Sequence, residues 1–225
     1  TPPTADYQGY MAELFTTAAD GTETIVGTIA VDVSSQWTRF PRYGFVADFD
    51  NRQGTVDKNA NIKTEMAYLN RLHINGVQFQ DWQWKHHKPV KFDDDGSLTQ
   101  WYQDISNRWV GVEYVKNYID EQHKYGMKSI FYDLCFGAWK DAYKDGVKPE
   151  WALLKKDAAG RFSQDYHGLP PSWASNIYLQ NPGNEGWISY MKDRCDEVYN
   201  NFGFDGFQVD QLGNLGEVFD YNHNN

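Results

Sequence analysis

Four aspartates stand where short apolar segments of the sequence end: Asp48, Asp81, Asp133 and Asp210. If those segments are parallel strands, their carboxyl ends lie at one edge of the sheet and bring the carboxylates together. Converging carboxylates are what glycosidic bond cleavage needs, because one attacks or activates water while another donates a proton. An aspartate alone is also a good helix N-cap or turn residue, and this alternative stays open, above all for Asp48 and Asp133.

Two long connections leave the same predicted edge and are rich in tryptophan. They span about residues 82–108 and 135–176, and they contain Trp82, Trp84, Trp101, Trp139, Trp151 and Trp173. Long connections of this kind are usually functional or disordered, and disordered segments seldom hold so many aromatic residues. Indole rings stack on the faces of sugars, although they also fill cores. The pattern therefore favours an aromatic cleft above the carboxylates, with Trp82 and Trp139 as candidate stacking platforms.

Other chemistries find weaker support in the sequence. The segment Lys85-His86-His87-Lys88 could bind a metal, but adjacent residues on an extended chain point apart, so hydrogen bonding to a substrate hydroxyl or a neighbouring carboxylate is favoured. Asp93-Asp94-Asp95-Gly96 is more typical of a solvated turn than of a calcium loop. No Gly-x-Ser-x-Gly motif is present, and Cys135 and Cys195 have no metal-type spacing, which predicts free buried thiols. We expect neither a metal nor a cofactor.

The composition of the chain disfavours some classes of binding partner. The 225 residues carry a formal net charge of −10, which disfavours nucleic acids and anionic membrane surfaces but not neutral sugars. No run of about 18 apolar residues predicts a membrane span. The polar opening Thr1-Pro2-Pro3-Thr4 does not resemble a signal peptide and indicates a cut made inside a longer protein.

The first forty residues predict a β-hairpin. Residues 9–15 and 24–31 alternate apolar and polar side chains around Asp20-Gly21, a common hairpin turn. Two strands alone are barely stable in water, so we expect them to belong to a larger β-domain or to pack on the rest of the chain. Residues 34–41 then form a connector.

From Tyr43 onwards the sequence alternates between strands and helices. Strands are predicted at residues 43–47, 76–80, 129–132 and 207–209, with an additional short one at 177–179. Helical spacing of apolar residues occurs three times: at Ile62, Met66, Leu69 and Leu72; at Val112, Val115 and Ile119; and at Ile188, Met191, Cys195, Val198 and Phe202. This order is typical of a parallel sheet with helical crossovers.

Four such units fit half of a (β/α)8 TIM-type barrel, which needs about 250 residues when whole. The predicted fold is therefore α/β, with only the N-terminal half of the barrel in this chain. A doubly wound sheet fits the same order of elements. We disfavour it because no glycine-rich phosphate loop follows the first strand.

Five blocks of the sequence carry a recognisable pattern: Tyr43-Gly44-Phe45, Phe79-Gln80-Asp81-Trp82, Lys85-His86-His87, Tyr178-Leu179-Gln180-Asn181-Pro182 and the most specific one, Phe204 to Gly213. In this order they resemble glycoside hydrolase family 66, which contains dextranases and cycloisomaltooligosaccharide glucanotransferases. The resemblance covers the chain from about Val31 onwards. It implies a (β/α)8 barrel preceded by an immunoglobulin-like β-domain, so that residues 1–40 are the end of that domain plus a connector and residues 41–225 are half of the catalytic barrel.

The resemblance also implies a mechanism. Asp210 matches the nucleophile of the family, whose acid/base is a glutamate on a later strand, beyond Asn225; Glu217 follows Asp210 too closely to serve. The implied activity is endo-hydrolysis of α-1,6 linkages in dextran or isomaltooligosaccharides by retaining double displacement. We expect Asp48, Asp81, His86 and Gln211 to hold the bound glucosyl unit and Trp82 and Trp139 to stack on it.

Three alternatives to this activity stay open. They are a transglycosylase that makes cyclic isomaltooligosaccharides, a non-catalytic glucan-binding protein on the same barrel, and a sugar enzyme with another linkage preference. We expect the remainder of the same polypeptide to complete the barrel. Because polymeric dextran does not enter cells, we expect an extracellular, periplasmic or cell-surface location.

Overall fold

The computed structural model describes residues 5–211 and 213–225. The chain divides into two compact units, with the boundary between Arg42 and Tyr43. In the first unit, strand β1 (Gln8–Thr17) pairs antiparallel with β2 (Glu23–Val33). Gly21, at φ 85°, occupies the left-handed region that the connecting turn requires. The predicted hairpin is confirmed, while its membership of an immunoglobulin-like domain stays a prediction.

The second unit alternates strands and helices, as the periodicity predicts. Its elements in chain order are β3 (Tyr43–Val46), α1 (Lys58–Arg71), β4 (Gly76–Phe79), β5 (Trp101–Gln103), β6 (Trp109–Gly111), α2 (Val112–Lys124), β7 (Lys128–Asp133), β8 (Gly137–Ala138), β9 (Leu154–Lys156), β10 (Phe162–Gln164), β11 (Tyr166–His167), β12 (Ile177–Leu179), α3 (Glu185–Asn201) and β13 (Gly206–Val209). Single 3-10 turns occur at Trp37–Arg39 in the first unit and at Ala142–Asp145 and Pro149–Trp151 in the second.

The main sheet has the order β13-β7-β4-β3, and all its strands are parallel. Side chains alternate between its two faces. Val77, Phe79 and Phe131 lie on one face and form a core with residues of all three helices. Tyr132 and Gln208 lie on the other face. Among the described residues, β3 and β13 are the two edge strands of this sheet.

The helices begin and end where the sequence supplies caps. Asp57 caps α1 by accepting a hydrogen bond from the N–H of Ala60, and Asn184 caps α3 in the same way. The chain leaves α2 through Gly126, at φ 72°. One expected core position is wrong, because Ile188 is 50% exposed and the buried stripe of α3 begins at Trp187.

The two long connections contain more regular structure than the sequence indicates. The first contains the antiparallel pair of β5 and β6. The second contains a small sheet in which β12 lies between β11 and β8, together with the hairpin of β9 and β10. We call the segment from β8 to β12, residues 137–179, the β8–β12 insertion. No helix among the described residues is both long and apolar enough to cross a membrane.

Candidate active site

Asp210 follows directly after β13 at the carboxyl edge of the parallel sheet. Its backbone N–H donates to the carbonyl of Asp133 at 3.1 Å, which extends the pairing of β13 with β7 by one residue. By strand alternation its side chain lies on the same face as Gln208 and Tyr132, away from the helix-side core. The phenol of Tyr132 donates to Oδ2 of Asp210 at 3.2 Å. The partly buried carboxylate is therefore held in one orientation from the neighbouring strand.

Tyr132 keeps its proton in this position. Burial, and after it the negative charges of Asp210 and Asp81, raises the pKa of the Tyr132 phenol above its ordinary value. The hydroxyl is therefore a permanent donor to Asp210 at neutral pH.

Asp81 is fixed by an ion pair. Its Oδ2 accepts from Arg108 at 2.6 Å, and the same guanidinium donates to Oδ2 of the buried Asp104 at 2.7 Å. Burial is the largest influence on Asp81 and raises the pKa of its carboxyl, against the lowering effect of Arg108. The backbone of Asp81 has φ 49°, a region that non-glycine residues rarely adopt. Such strain is typical of functional positions.

Asp48 lies across a hollow from Asp81. The hollow measures about 290 Å³, and Arg108 and Trp109 also line it. The Asp48 side chain is 75% exposed, and its Oδ2 accepts from Lys58 at 2.7 Å. The structure thus places Asp48 and Asp81 in the lining of one hollow, and the charges of Asp81 and Asp210 both act on the pKa of Tyr132. Their roles in binding a sugar stay predictions.

Asp133 does not join this group, although its strand ends at the same edge. It shares the face of β7 that carries Phe131 and is 1% exposed. Burial raises the pKa of its carboxyl well above the ordinary value, and its charge acts on Cys135 and Cys195. The prediction that all four strand-end aspartates converge is therefore wrong for Asp133.

Trp82 is a core residue. It is fully buried between Phe131 and Phe204, and its indole N–H donates to the carbonyl of Tyr132 at 3.1 Å. The predicted stacking platform at Trp82 is wrong, because the left-handed backbone of Asp81 is followed by a side chain that enters the core. Through this hydrogen bond, Trp82 instead holds the backbone of β7 at Tyr132.

Trp139 is held by both histidines of the Lys85–Lys88 segment. Its indole N–H donates to Nδ1 of His86, and its backbone N–H donates to Nδ1 of His87, both at 3.2 Å. Each neutral ring then carries its proton on Nε2. Trp139 is 9% exposed and lines two hollows, so its stacking role stays a prediction.

His86 is 2% exposed, and burial followed by the neighbouring His87 lowers its pKa to about 3. The ring is therefore neutral at ordinary pH and lies 6.3 Å, centroid to centroid, from the ring of Tyr132. Its observed partner is Trp139, and a direct contact with sugar stays a prediction.

An ion cluster around Asp145 holds His87 in place. The carboxylate of Asp145 accepts from His87 Nε2 at 3.0 Å, from Lys85 at 2.8 Å and from Lys88 at 3.1 Å. Burial acts to raise the pKa of Asp145, but these hydrogen bonds outweigh it and hold the pKa well below its ordinary value. His87 thus bonds to a carboxylate, one of the two roles expected for this segment.

The residue after the candidate nucleophile also has an unusual backbone. Gln211 is exposed and has φ 56°. It stands two residues after the end of β13, as Asp81 stands two residues after the end of β4. The chain therefore leaves β4 and β13 in the same way, through a residue in the left-handed region: Asp81 after β4, and Gln211, the neighbour of Asp210, after β13.

No group of three or more His, Cys, Asp or Glu side chains in the described part of the chain suits a metal ion. The segment around Asp93 forms a turn in which the Gly96 N–H donates to the carbonyl of Asp93 at 2.9 Å, as expected for a solvated loop. Cys135 and Cys195 are free and partly buried. Burial raises the pKa of Cys135 to about 11 and of Cys195 to about 12, so both thiols stay protonated at neutral pH.

Three residues of the site escaped sequence reasoning: Tyr132, Arg108 and Asp145. Tyr132 was missed because it precedes Asp133, and alternation from an aspartate expected at the site directs the tyrosine away from it. Arg108 and Asp145 act across 27 and 58 residues of sequence, on Asp81 and His87 respectively, and no local pattern marks such pairs.

The chain is similar to known proteins over its whole length. The family model for glycosyl hydrolase family 66 matches residues 1–225. A cycloisomaltooligosaccharide glucanotransferase from Niallia circulans is 29% identical over 225 residues, which are 100% of this chain and 22% of the relative. A dextranase from Streptococcus salivarius is 25% identical over 221 residues, which are 96% of this chain and 26% of the relative.

A solved structure is similar over the same length. It is the crystal structure of a cycloisomaltooligosaccharide glucanotransferase from Paenibacillus sp. in complex with cycloisomaltoheptaose, with a TM-score of 0.80 and 30% sequence identity. The alignment covers 100% of this chain and 30% of that one. The chain thus has an α/β fold close to that enzyme and spans less than a third of the length of these proteins.

Proposed function

Because the chain belongs to glycosyl hydrolase family 66, we propose that it supplies the nucleophile for cleavage of α-1,6-glucosidic linkages in dextran. The observation that carries this proposal is the hydrogen bond from Tyr132 to Asp210 at the carboxyl edge of the parallel sheet. Active sites of barrel folds lie at that edge. The names of the relatives, a dextranase and cycloisomaltooligosaccharide glucanotransferases, support the choice of substrate.

The proposed reaction is a retaining double displacement. Oδ1 or Oδ2 of Asp210 attacks the anomeric carbon, the bond to the leaving glucosyl oxygen breaks, and a carboxylic acid protonates that oxygen. Water then attacks the anomeric carbon of the glycosyl-enzyme and gives its proton to the same acid/base group, while the bond to Asp210 breaks and its carboxylate is restored. We propose that this group is a glutamate outside the present chain, about 5–5.5 Å from Asp210.

The remaining residues position the sugar in this proposal. Asp48 and Asp81 line the same hollow and accept hydrogen bonds from sugar hydroxyls. The His86 Nε2–H donates to a hydroxyl, and Gln211 contributes its amide. Trp139 provides an apolar ring at the wall of the cleft. The remainder of the polypeptide pairs with the edge strands β3 and β13 and completes the barrel.

Transglycosylation is the second candidate. Glucanotransferases match this chain, among them a Niallia circulans enzyme at 29% identity and the Paenibacillus enzyme at 30%. Both activities share the attack by Asp210 and differ in the acceptor, which is water in hydrolysis and a sugar hydroxyl in transfer. We propose endo-hydrolysis as the main outcome and an extracellular, periplasmic or cell-surface location, where dextran is accessible.

The test is the release of reducing sugar from dextran by the full-length protein and by its Asp210→Asn variant. We expect activity in the parent and a loss of about 10³-fold or more in the variant, the usual effect of removing an attacking group. Equal activity in both proteins would exclude Asp210 as the nucleophile. Chromatography of the products separates linear oligosaccharides, expected for hydrolysis, from cyclic ones. Inactivity of the full-length parent on dextran, with activity on another glucan, would overturn the linkage assignment.

A further inference from the structure

A second cavity lies in the β8–β12 insertion, on the side of Trp139 that is lined by β12. It measures about 340 Å³, within the range of small-molecule sites, and Trp139, Tyr143, Gln164, Tyr178 and Gln180 contribute to its lining. We call it the Gln180 cavity. None of the catalytic roles proposed above uses it.

Gln180 has an unmet hydrogen-bonding requirement. The residue is 3% exposed, and its Nε2 donates to the carbonyl of Tyr178 at 3.3 Å, while its Oε1 has no hydrogen-bond partner. A buried acceptor without a partner is costly, by about 1–3 kcal/mol in typical proteins. Gln180 lines the cavity, so a rotation of its amide would bring this oxygen to a ligand that donates a hydrogen bond and would remove that cost.

The rest of the lining is suited to a neutral, hydroxyl-bearing ring. Tyr143 is 68% exposed although it is a large aromatic residue, and Tyr178 and Trp139 add further rings. Gln164 is a second amide in the lining, and its Nε2 is held by the carbonyl of Leu179 at 3.0 Å. Aromatic faces and fixed amides are the groups that bind sugars.

An anionic ligand fits less well. Two lysines line the cavity, but the ammonium of Lys148 lies 5.8 Å from the centroid of the Trp151 ring, which stabilises its charge. The unmet group at Gln180 is an acceptor, and an anion without a proton to donate repels it. The geometry therefore points to hydroxyl groups.

We propose that the Gln180 cavity is a remote subsite for a glucosyl unit of the same glucan chain. Trp139 connects it with the candidate active site, because its indole N–H binds His86, whose ring lies beside Tyr132. A long glucan therefore occupies both places, and the subsite favours long chains over short ones. The identity of the sugar rests on the proposed function; the presence of a hydroxyl-binding cavity does not.

The test is a titration of isomaltotriose into the Asp210→Asn protein, followed by the indole N–H resonances of its tryptophans. Binding at this cavity shifts the Trp139 signal, which a Trp139→Phe variant assigns. Tyr143→Ala should weaken binding about fivefold, because an exposed ring that stacks on the sugar is lost. Gln180→Met, which keeps the side-chain length but removes the acceptor, should also weaken binding about fivefold.

Tyr68→Ala is the matched control, since Tyr68 is 59% exposed on α1 and does not line the cavity. It should leave the affinity unchanged, and thermal unfolding checks that all variants fold. Undiminished affinity in both Tyr143→Ala and Gln180→Met, or a parent that does not bind isomaltotriose, overturns the subsite whatever the activity on dextran. Binding that depends on both residues in a protein whose full-length form is inactive on dextran would support the subsite and refute the proposed function.

Discussion

Tyr132, one residue before the end of β7, and Asp210, directly after the neighbouring β13, are joined by a hydrogen bond of 3.2 Å from the phenol to Oδ2. The register of β13 on β7 places Gln208 opposite Tyr132, so Asp210 lies two residues further along the same face. The pairing of the two strands therefore fixes the position of the candidate nucleophile, and Tyr132 fixes its orientation.

Tyr132→Phe should lower kcat on dextran about tenfold, because a hydrogen bond to a charged group is lost while the ring and its packing remain. The measurement is kcat and KM for the full-length protein, together with its thermal midpoint. Tyr68→Phe, which alters an exposed phenol on α1, is the control and should leave kcat, KM and the thermal midpoint unchanged. An unchanged kcat in Tyr132→Phe would mean that this hydrogen bond has no part in the reaction.

Asp145→Asn should lower the free energy of unfolding by about 3 kcal/mol at pH 7, since Lys85 and His87 are buried against this carboxylate and lose its charge. Urea denaturation measures the change. The folded-state pKa of Asp145 is depressed, so its stabilisation is complete above the ordinary pKa of about 4 and is lost as the pH falls below it. The difference between parent and variant should therefore narrow only below about pH 4.

Asp157→Asn is the matched control for this variant. Asp157 also pairs with a cation, Arg161, but both side chains are exposed, at 41% and 81%. Exposed ion pairs contribute little, so the unfolding curve should hardly change. Similar destabilisation by both substitutions would indicate that the burial of the Asp145 cluster is unimportant.

Trp82→Phe should lower the free energy of unfolding by about 2 kcal/mol, because it removes buried ring volume and the hydrogen bond to the Tyr132 carbonyl. Denaturation in urea gives this value, and the KM for dextran should change by less than about twofold, as expected for a residue that does not contact substrate. A raised KM with unchanged stability would restore the stacking role that the sequence predicted.

Local periodicity was sufficient to predict the main elements of the fold. Helical spacing identified α1 and α2, and the apolar runs identified the four parallel strands. Asp210 followed from its position after the last of these strands. In α3 the pattern misplaced only the first position of the buried stripe, because Trp187 packs against Trp151 while Ile188 faces outwards; Met191 and Val198 are buried as expected. Which of two adjacent apolar residues is buried depends on partners distant in sequence.

The side-chain directions at the strand ends could not be predicted in the same way. Asp133 still belongs to β7, so alternation directs it to the helix side, whereas Asp210 follows β13 by one residue and lies on the other face. A shift of one residue in the end of a strand reverses the face of its carboxylate. Trp82 was misassigned for a related reason, since the backbone at Asp81, φ 49°, changes the direction of the chain.

Gln211 should tolerate glycine but not a β-branched residue. Its φ of 56° is strained for side chains branched at Cβ, so Gln211→Val should lower the free energy of unfolding by about 1–2 kcal/mol. Gln211→Gly relieves the strain and adds disorder to the unfolded chain, so its stability should stay within about 1 kcal/mol of the parent. Urea denaturation distinguishes them, and equal stability of the two variants would contradict a left-handed residue here. A loss of activity in Gln211→Gly at unchanged stability would then indicate that the side-chain amide of Gln211 takes part in substrate binding.

Acidification from pH 7 to pH 5 should destabilise the protein through His86. Its folded-state pKa of about 3 lies below the ordinary value of 6.5, so between these values the unfolded chain binds a proton that the folded chain excludes. The stability contributed by the neutral ring is therefore complete above about pH 6.5 and falls by about 1.4 kcal/mol for each pH unit below it. Urea denaturation at several pH values measures this slope.

His86→Gln should reduce this pH dependence, because glutamine does not titrate, while His87, whose pKa burial also lowers, keeps its own contribution. The exposed His73 has φ 57°, which asparagine tolerates, so His73→Asn is a control that changes one histidine without altering a buried site. Its stability should show the same pH slope as the parent. If His86→Gln kept the slope and His73→Asn lost it, the proton uptake on unfolding would not come from the histidine that holds Trp139.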